Sequence, residues 1–368
     1  MVILGIETSC DETAAALLQV RKKGADFFIQ PLADIVATQI KIHRQYGGVV
    51  PMLANREHVK NLPFVLKRAL KDAFGSDRKA SPKIDLIAVT FGPGLMPSLL
   101  IGVNFARTLG WAWKKKIIGV NHLEGHLLSF LLPPKKENLK LSKSEVEKIF
   151  PAVCLLVSGG HTQLIYAKGI GDYEIIGETR DDAAGECFDK GARILGLGYP
   201  GGPVIAAEAA KIKNQKSKIK NQPEIKLPRP MINANNYDFS FSGLKTALLY
   251  STKKINSRAI QKKIPAFAFE LQEAISDVLV EKTFKAATDF KTKFIILGGG
   301  VVANKRLREK FQARIKENKP LKLFIPLLEY TTDNAMMIAL AGFFQYQRAK
   351  NKKVFNWKKI DPEANLRL

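Results

Sequence analysis

Short apolar runs alternate with polar turns along the chain. Residues 2–6 read as a buried strand, Ser9-Cys10-Asp11-Glu12 as a polar turn and residues 13–20 as a second apolar run, which predicts a hairpin with acids at its tip. Residues 84–90 form another run, and Gly92-Pro93-Gly94 breaks it before a helical pattern over 97–113. The stretch Lys135 to Lys148 is charged and follows Pro133-Pro134, so residues 133–150 are expected to be a linker or exposed segment. The pattern then restarts, with a strand over 152–157, the turn Ser158-Gly159-Gly160-His161-Thr162 and a strand over 163–168. Later, residues 294–297 run into Gly298-Gly299-Gly300, and Asn304 begins a helical pattern to Lys316. This echo is what a duplicated α/β lobe leaves behind. The expected division is a first lobe over 1–132, joined by a helix over 333–350, and a second lobe over 151–332 with a lysine-rich insertion at 211–226.

Length agrees with two lobes, because 368 residues exceed what one core ordinarily supports. Hydrophobic residues at 46% and charged residues at 25% describe a chain that folds. Lys and Arg outnumber Asp and Glu by 58 to 34, a net +24 that suits a polyanionic partner such as RNA as well as it suits solvated lysine faces. The repeated Lys-Ile-Lys-Asn-Gln of residues 211–222 carries only five of those lysines, so the excess is spread over the chain. Cys10, Cys154 and Cys187 form no CxxC pair and fit a reduced cytosol. No signal peptide and no membrane span are expected from the apolar pattern.

Chemistry concentrates in a few places. His122-Leu123-Glu124-Gly125-His126 sets two imidazoles on one helical face, suited to one metal, after a strand over 117–120. Glu124 lies about 200° around from His122, so the hydrolytic glutamate of a zinc protease is not encoded. Asp333 in Thr331-Thr332-Asp333-Asn334 is the candidate third ligand, with helix capping as the plainer use. The turns at Ser158-Gly159-Gly160, Gly298-Gly299-Gly300 and Gly201-Gly202-Pro203 leave backbone amides open to phosphate or ribose. Asp181, Asp182, Glu186, Asp189 and Lys190 read as one helical stretch of salt bridges, with Asp189 also able to accept from a ribose hydroxyl. Asp11, Glu12 and His161 are candidate proton acceptors.

Residues 3–13, Asn121-His122-Leu123-Glu124-Gly125-His126, residues 156–162, Phe239-Ser240-Phe241-Ser242-Gly243-Leu244-Lys245 and Thr332-Asp333-Asn334 together resemble the TsaD family of tRNA N6-adenosine threonylcarbamoyltransferases. The resemblance implies two actin-like lobes, as in sugar kinases and Hsp70 proteins, with a nucleotide cleft between them. It implies transfer of threonylcarbamoyl from threonylcarbamoyl-adenylate to adenosine 37 of tRNAs reading codons that begin with adenine, releasing AMP. It further implies Fe(2+) or another divalent metal on His122, His126 and Asp333, and an adenylate against Leu156, Val157, Ser158, Gly159, Gly160, Asp189, Gly202 and Asn304. Asp182-Ala183-Ala184-Gly185-Glu186 is similar to the bacterial branch, whose partners are the inactive paralogue TsaB and the ATPase TsaE, in the cytoplasm. A kinase of the same fold, a metalloprotease and a non-catalytic tRNA-binding subunit are the rival readings. The histidine pair, the placement of Glu124 and the intact ligand set respectively count against them.

Overall fold

The computed structural model describes residues 1–75, 83–213, 225–255, 257–349 and 355–368. Most of the lysine-rich repeat lies outside the described residues.

The first half opens with the hairpin β1 (Val2–Glu7) and β2 (Glu12–Lys23), followed by β3 (Asp26–Thr38), the short α1 (Ile40–His43) and the long α2 (Pro51–Phe74). Then come β4 (Leu86–Gly92), α3 (Met96–Trp113), β5 (Lys116–Asn121) and α4 (His122–Leu128). Residues 133–150 are more than a linker. Strand β6 (Leu139–Ser142) pairs antiparallel with β3, and α5 (Lys143–Glu147) follows it. Leu141 is buried and Lys140 exposed, the alternation of an edge strand, so the charge that suggested a linker is its solvent face.

The second half contains β7 (Ala152–Val157), β8 (Thr162–Gly169), β9 (Asp172–Glu178), α6 (Ala184–Ile194), α7 (Gly201–Lys213), α8 (Ser242–Lys253) and α9 (Ser257–Asp289). It closes with β10 (Phe294–Gly298), α10 (Lys305–Glu317), β11 (Lys322–Phe324) and α11 (Ala335–Arg348).

Strand order reveals the duplication. The first sheet runs β5-β4-β1-β2-β3-β6 and the second β11-β10-β7-β8-β9. In each, an antiparallel meander follows the central strand on one side and two parallel strands lie on the other. The β1–β2 and β7–β8 turns therefore hold equivalent places, as do the turns after β4 and β10.

Alternating side chains bury both faces of each sheet. Leu4 and Ile6 face α2 and α3, whereas Ile3 faces α11. Val153, Leu155 and Val157 pack with α6 to α10, whereas Cys154 and Leu156 pack with Leu123 and Leu127 of α4. Because Leu128 joins the core under α11, the seven-residue α4 is wedged between the two sheets. Glycines admit the close approach: a Cβ on Gly5 would stand 2.1 Å from the Ala335 carbonyl, and one on Gly298 would stand 2.8 Å from that of His126.

Candidate active site and metal centre

α4 begins where β5 ends, and Asn121 caps it by accepting from Leu123 N at 2.8 Å. The cap aims both imidazoles of the helix at the turn before α11, with ring centroids 4.7 Å apart. Asp333 Oδ1 lies 3.1 Å from His126 Nε2 and 3.5 Å from His122 Nε2. The capping role once open to Asp333 falls to Asn334, which accepts from Met337 N at 2.9 Å. Asp333 is thus left for the histidines.

The far side of His122 is held from β1. Its Nδ1 lies 3.0 Å from Glu7 Oε2 and 3.2 Å from Ser9 Oγ. Glu7, fully buried at the end of an otherwise apolar strand, also accepts from Thr90 Oγ1 at 2.6 Å and Ser9 N at 2.5 Å. A carboxylate behind an imidazole fixes its tautomer and leaves the other nitrogen facing forward. Glu7, Ser9 and Thr90 escaped the sequence-based search for roles, although an acid closing an apolar strand is a readable signal.

Charge in the site follows from these contacts. Burial works against both carboxylates, yet His122 holds Glu7 below the ordinary carboxyl range, and His122 with His126 holds Asp333 at about 2. His122 resists its own burial because Asp333 and Glu7 flank it, and titrates at about 9. Burial keeps His126 below its usual value. Without a metal the site therefore holds two carboxylates around one imidazolium.

That arrangement fits a divalent cation. One ligand atom from each of His122, His126 and Asp333 lies within 4.8 Å of the others. The two-nitrogen, one-oxygen donor set suits a first-row transition metal with positions left open for other ligands. Glu124 is turned elsewhere: it accepts from Tyr173 OH at 3.2 Å and Arg348 Nη2 at 3.0 Å.

The second sheet faces this centre with a different turn. Ser158 Oγ accepts from His161 N at 3.1 Å, closing a loop in which a Cβ on Gly159 or Gly160 would meet nothing within 4 Å. Gly202 and Gly300 are equally open, whereas Gly299, at φ +93, must be glycine because a Cβ would stand 2.4 Å from the Val157 carbonyl. Burial pushes the His161 imidazole down to about 4, with the charge of His122 adding to the effect.

The other expected site residues divide. Leu156 and Val157 place their side chains in apolar cores on opposite faces of the sheet, so only their backbone can reach a ligand. Asp189 commits Oδ1 to Gly201 N at 2.6 Å, and burial raises its pKa. Asn304 accepts from Leu307 N at 3.1 Å and donates to Gln272 Oε1 at 3.0 Å, so it builds the start of α10. Asp11 is buried and Glu12 half-buried at the hairpin tip; burial drives Glu12 well above the normal range, with Asp11 and Asp333 adding repulsion. Asp181 and Asp182 precede α6 instead of lying on it. Asp181 receives Ser240 Oγ, Phe241 N, Ser242 N and Ser242 Oγ at 2.6 to 3.2 Å and so caps α8, because an unpaired helix start attracts a carboxylate.

Fold and site together define a class: a duplicated α/β enzyme whose two lobes bring a His-His-carboxylate centre against an open glycine turn. Its overall fold matches that of HypF from T. kodakarensis over 96% of this chain and 49% of that one, at a TM-score of 0.53 and 11% identity, in keeping with the actin-like architecture. The chain belongs to the TsaD family, tRNA N6-adenosine threonylcarbamoyltransferase, whose family description matches residues 30–340. Proteins of that name from Thermosipho africanus and Syntrophomonas wolfei are 44% and 45% identical to it, over 95% and 94% of this chain and 95% and 92% of theirs. The Thermosipho melanesiensis protein is 45% identical over the whole of both chains. The activity is accordingly transfer of a threonylcarbamoyl group to N6 of adenosine in tRNA. Among the described residues, no helix is long and apolar enough to cross a membrane.

Proposed function

We propose that the donor is threonylcarbamoyl-adenylate, the acceptor is adenosine 37 of tRNAs reading codons that begin with adenine, and the reaction takes place between the β1–β2 and β7–β8 turns. The observation that carries this reading is the pairing of a closed ligand set, His122, His126 and Asp333, with a turn whose glycines leave room for a nucleotide. Fe(2+) is the metal we assign to those three residues, where it would supply Lewis-acid polarisation of a donor oxygen.

The chain's own groups do the rest. Ser158 N already donates to His161 O at 2.8 Å, so the amides of Gly159 and Gly160 receive phosphate oxygens, the second oxygen of Asp189 takes a ribose hydroxyl, and Gly202 and the start of α10 at Asn304 bound the pocket. The N6 amine attacks the carbamoyl carbonyl carbon, a C–N bond forms, and the C–O bond to AMP breaks. Glu12, whose proton affinity is raised by burial and by Asp11 and Asp333, accepts the amine proton. His161 is a weaker base near 4 and serves as a neutral hydrogen-bonding wall, and Asp11 supports Glu12. Basic surface residues guide tRNA through its phosphates.

We take TsaB and TsaE as the partners and the cytoplasm as the compartment. The full chain with those partners, threonylcarbamoyl-adenylate and unmodified tRNA should yield threonylcarbamoyladenosine on nucleoside digestion, and His122→Ala with His126→Ala should yield none. Full transfer by that double variant would refute the metal assignment.

A further inference from the structure

Residues 360–368 run across the rim of the site and touch both lobes. Ile360 is buried in the core beside α3, and Arg107 donates to the Trp357 carbonyl at 3.0 Å and to Asp361 at 2.7 Å. The segment then follows the end of β4: Glu363 N donates to Phe91 O at 2.7 Å, and Gly94 N to Ala364 O at 3.1 Å. The fit requires glycine, because a Cβ on Gly92 would stand 2.1 Å from the Glu363 carbonyl. The covered turn leads directly to the site, with Leu95 N donating to Ser9 O at 2.8 Å and Ser9 Oγ lying beside His122.

Arg367 completes the connection. Its carbonyl accepts from Asn121 Nδ2 at 2.9 Å, and Asn121 is the cap of α4 immediately before His122. Its guanidinium crosses to the other lobe, where Nη2 donates to both oxygens of Glu178 at 2.9 and 3.1 Å. Glu178 closes β9 and receives Gln163 Nε2 at 3.4 Å, two residues beyond His161. Leu368 packs on the cluster that contains Leu123 and Leu127 of α4 together with Leu156 of β7. One residue is thus tied by its backbone to the histidine-bearing helix and by its side chain to the frame of the glycine turn.

We infer that residues 360–368 are an inter-lobe strap and that Arg367 is a positioning residue for threonylcarbamoyl transfer, setting the separation between the metal ligands and the donor cradle. This rests on the reading that those two groups share the reaction. Arg367 and Glu178 are 64% and 43% exposed, and an exposed ion pair contributes little to folding. Its worth lies in alignment, where a small displacement of reacting groups is costly.

The test is the transfer rate at saturating donor, with its KM for tRNA and the melting temperature, for the full chain with its partners. Wild type is compared with Arg367→Ala, Arg367→Lys and the exchanged pair Arg367→Glu with Glu178→Arg. Arg367→Ala should lower kcat by about tenfold, leaving KM for tRNA and the melting temperature in place. Arg367→Lys should recover part of the rate, and the exchanged pair should recover most of it although neither half does so alone. An unchanged kcat in Arg367→Ala overturns the inference. So does a loss confined to KM for tRNA that the exchanged pair fails to rescue, since Arg367 would then be an RNA contact. Inactive wild type would instead overturn the site reading on which this one depends.

Discussion

The β1–β2 and β7–β8 turns occupy the same place in two sheets that share an order of five strands, yet they carry opposite chemistry. The first is dense and acidic: Glu7 is fully buried, bonded to Thr90, Ser9 and His122, and followed by Asp11 and Glu12. The second is bare, with Gly159 and Gly160 exposed and nothing within 4 Å of where a Cβ would stand. A carboxylate buried with both oxygens hydrogen-bonded orients a ligand, whereas a turn of open amides receives one. On the proposed reading, the two equivalent positions differ in side-chain chemistry so that one supports metal ligands and the other is a cradle.

Substitutions can break that contrast. The largest effect is expected from His126→Ala, which removes a ligand on the supporting side and should abolish both metal uptake, read by elemental analysis, and transfer. Filling the cradle with Gly160→Val should lower kcat/KM by about 10²-fold through displacement of the donor, while metal content stays at the wild-type level. Glu7→Gln keeps the shape of the supporting side but removes its charge, and should weaken metal affinity by roughly 10- to 100-fold in a competition titration. If Gly160→Val emptied the metal site, or Glu7→Gln left affinity untouched, the two turns would not divide the work as described.

A smaller effect separates the turns by pH. His122 titrates at about 9 in the metal-free protein, so a metal must displace its proton at neutral pH, and affinity should rise by about tenfold per pH unit up to that value. The stability of the metal-free chain should move the other way. A histidine raised above its unfolded value of about 6.5 stabilises fully below that pH and loses the contribution as pH climbs towards 9. AMP binding to the glycine turn should stay flat from pH 7 to 8, above the second ionisation of its phosphate at about 6, because His161 at about 4 is neutral throughout. Calorimetry at pH 8 in buffers of different ionisation enthalpy would register the proton released with metal and none with AMP.

Much of this was legible in the residues. Hairpins and glycine turns announced themselves by period and punctuation, and the i, i+4 histidines by helix geometry. Asp333 was ambiguous, since a helix start offers a carboxylate two uses and only the structure shows Asn334 taking the cap. Glu7 stayed hidden because its value depends on Thr90 and His122, 83 and 115 residues away. Strand β6 was hidden by the charged residues around it, and the exposure of its one lysine, Lys140, follows from edge pairing with β3. Asp181 read as part of a helix, but its partners lie about sixty residues on, at the start of α8. Local pattern fixes elements, and long-range pairing decides which polar groups they hold in place.

The division of labour is tested most directly by anomalous scattering at the iron edge from crystals of the full chain loaded with Fe(2+) and AMP. One strong peak is expected, bounded by His122 Nε2, His126 Nε2 and the Asp333 carboxylate, with the nucleotide phosphate against the amides of Gly159 and Gly160. A peak away from those three side chains, or a nucleotide bound elsewhere while the iron occupies them, would contradict it.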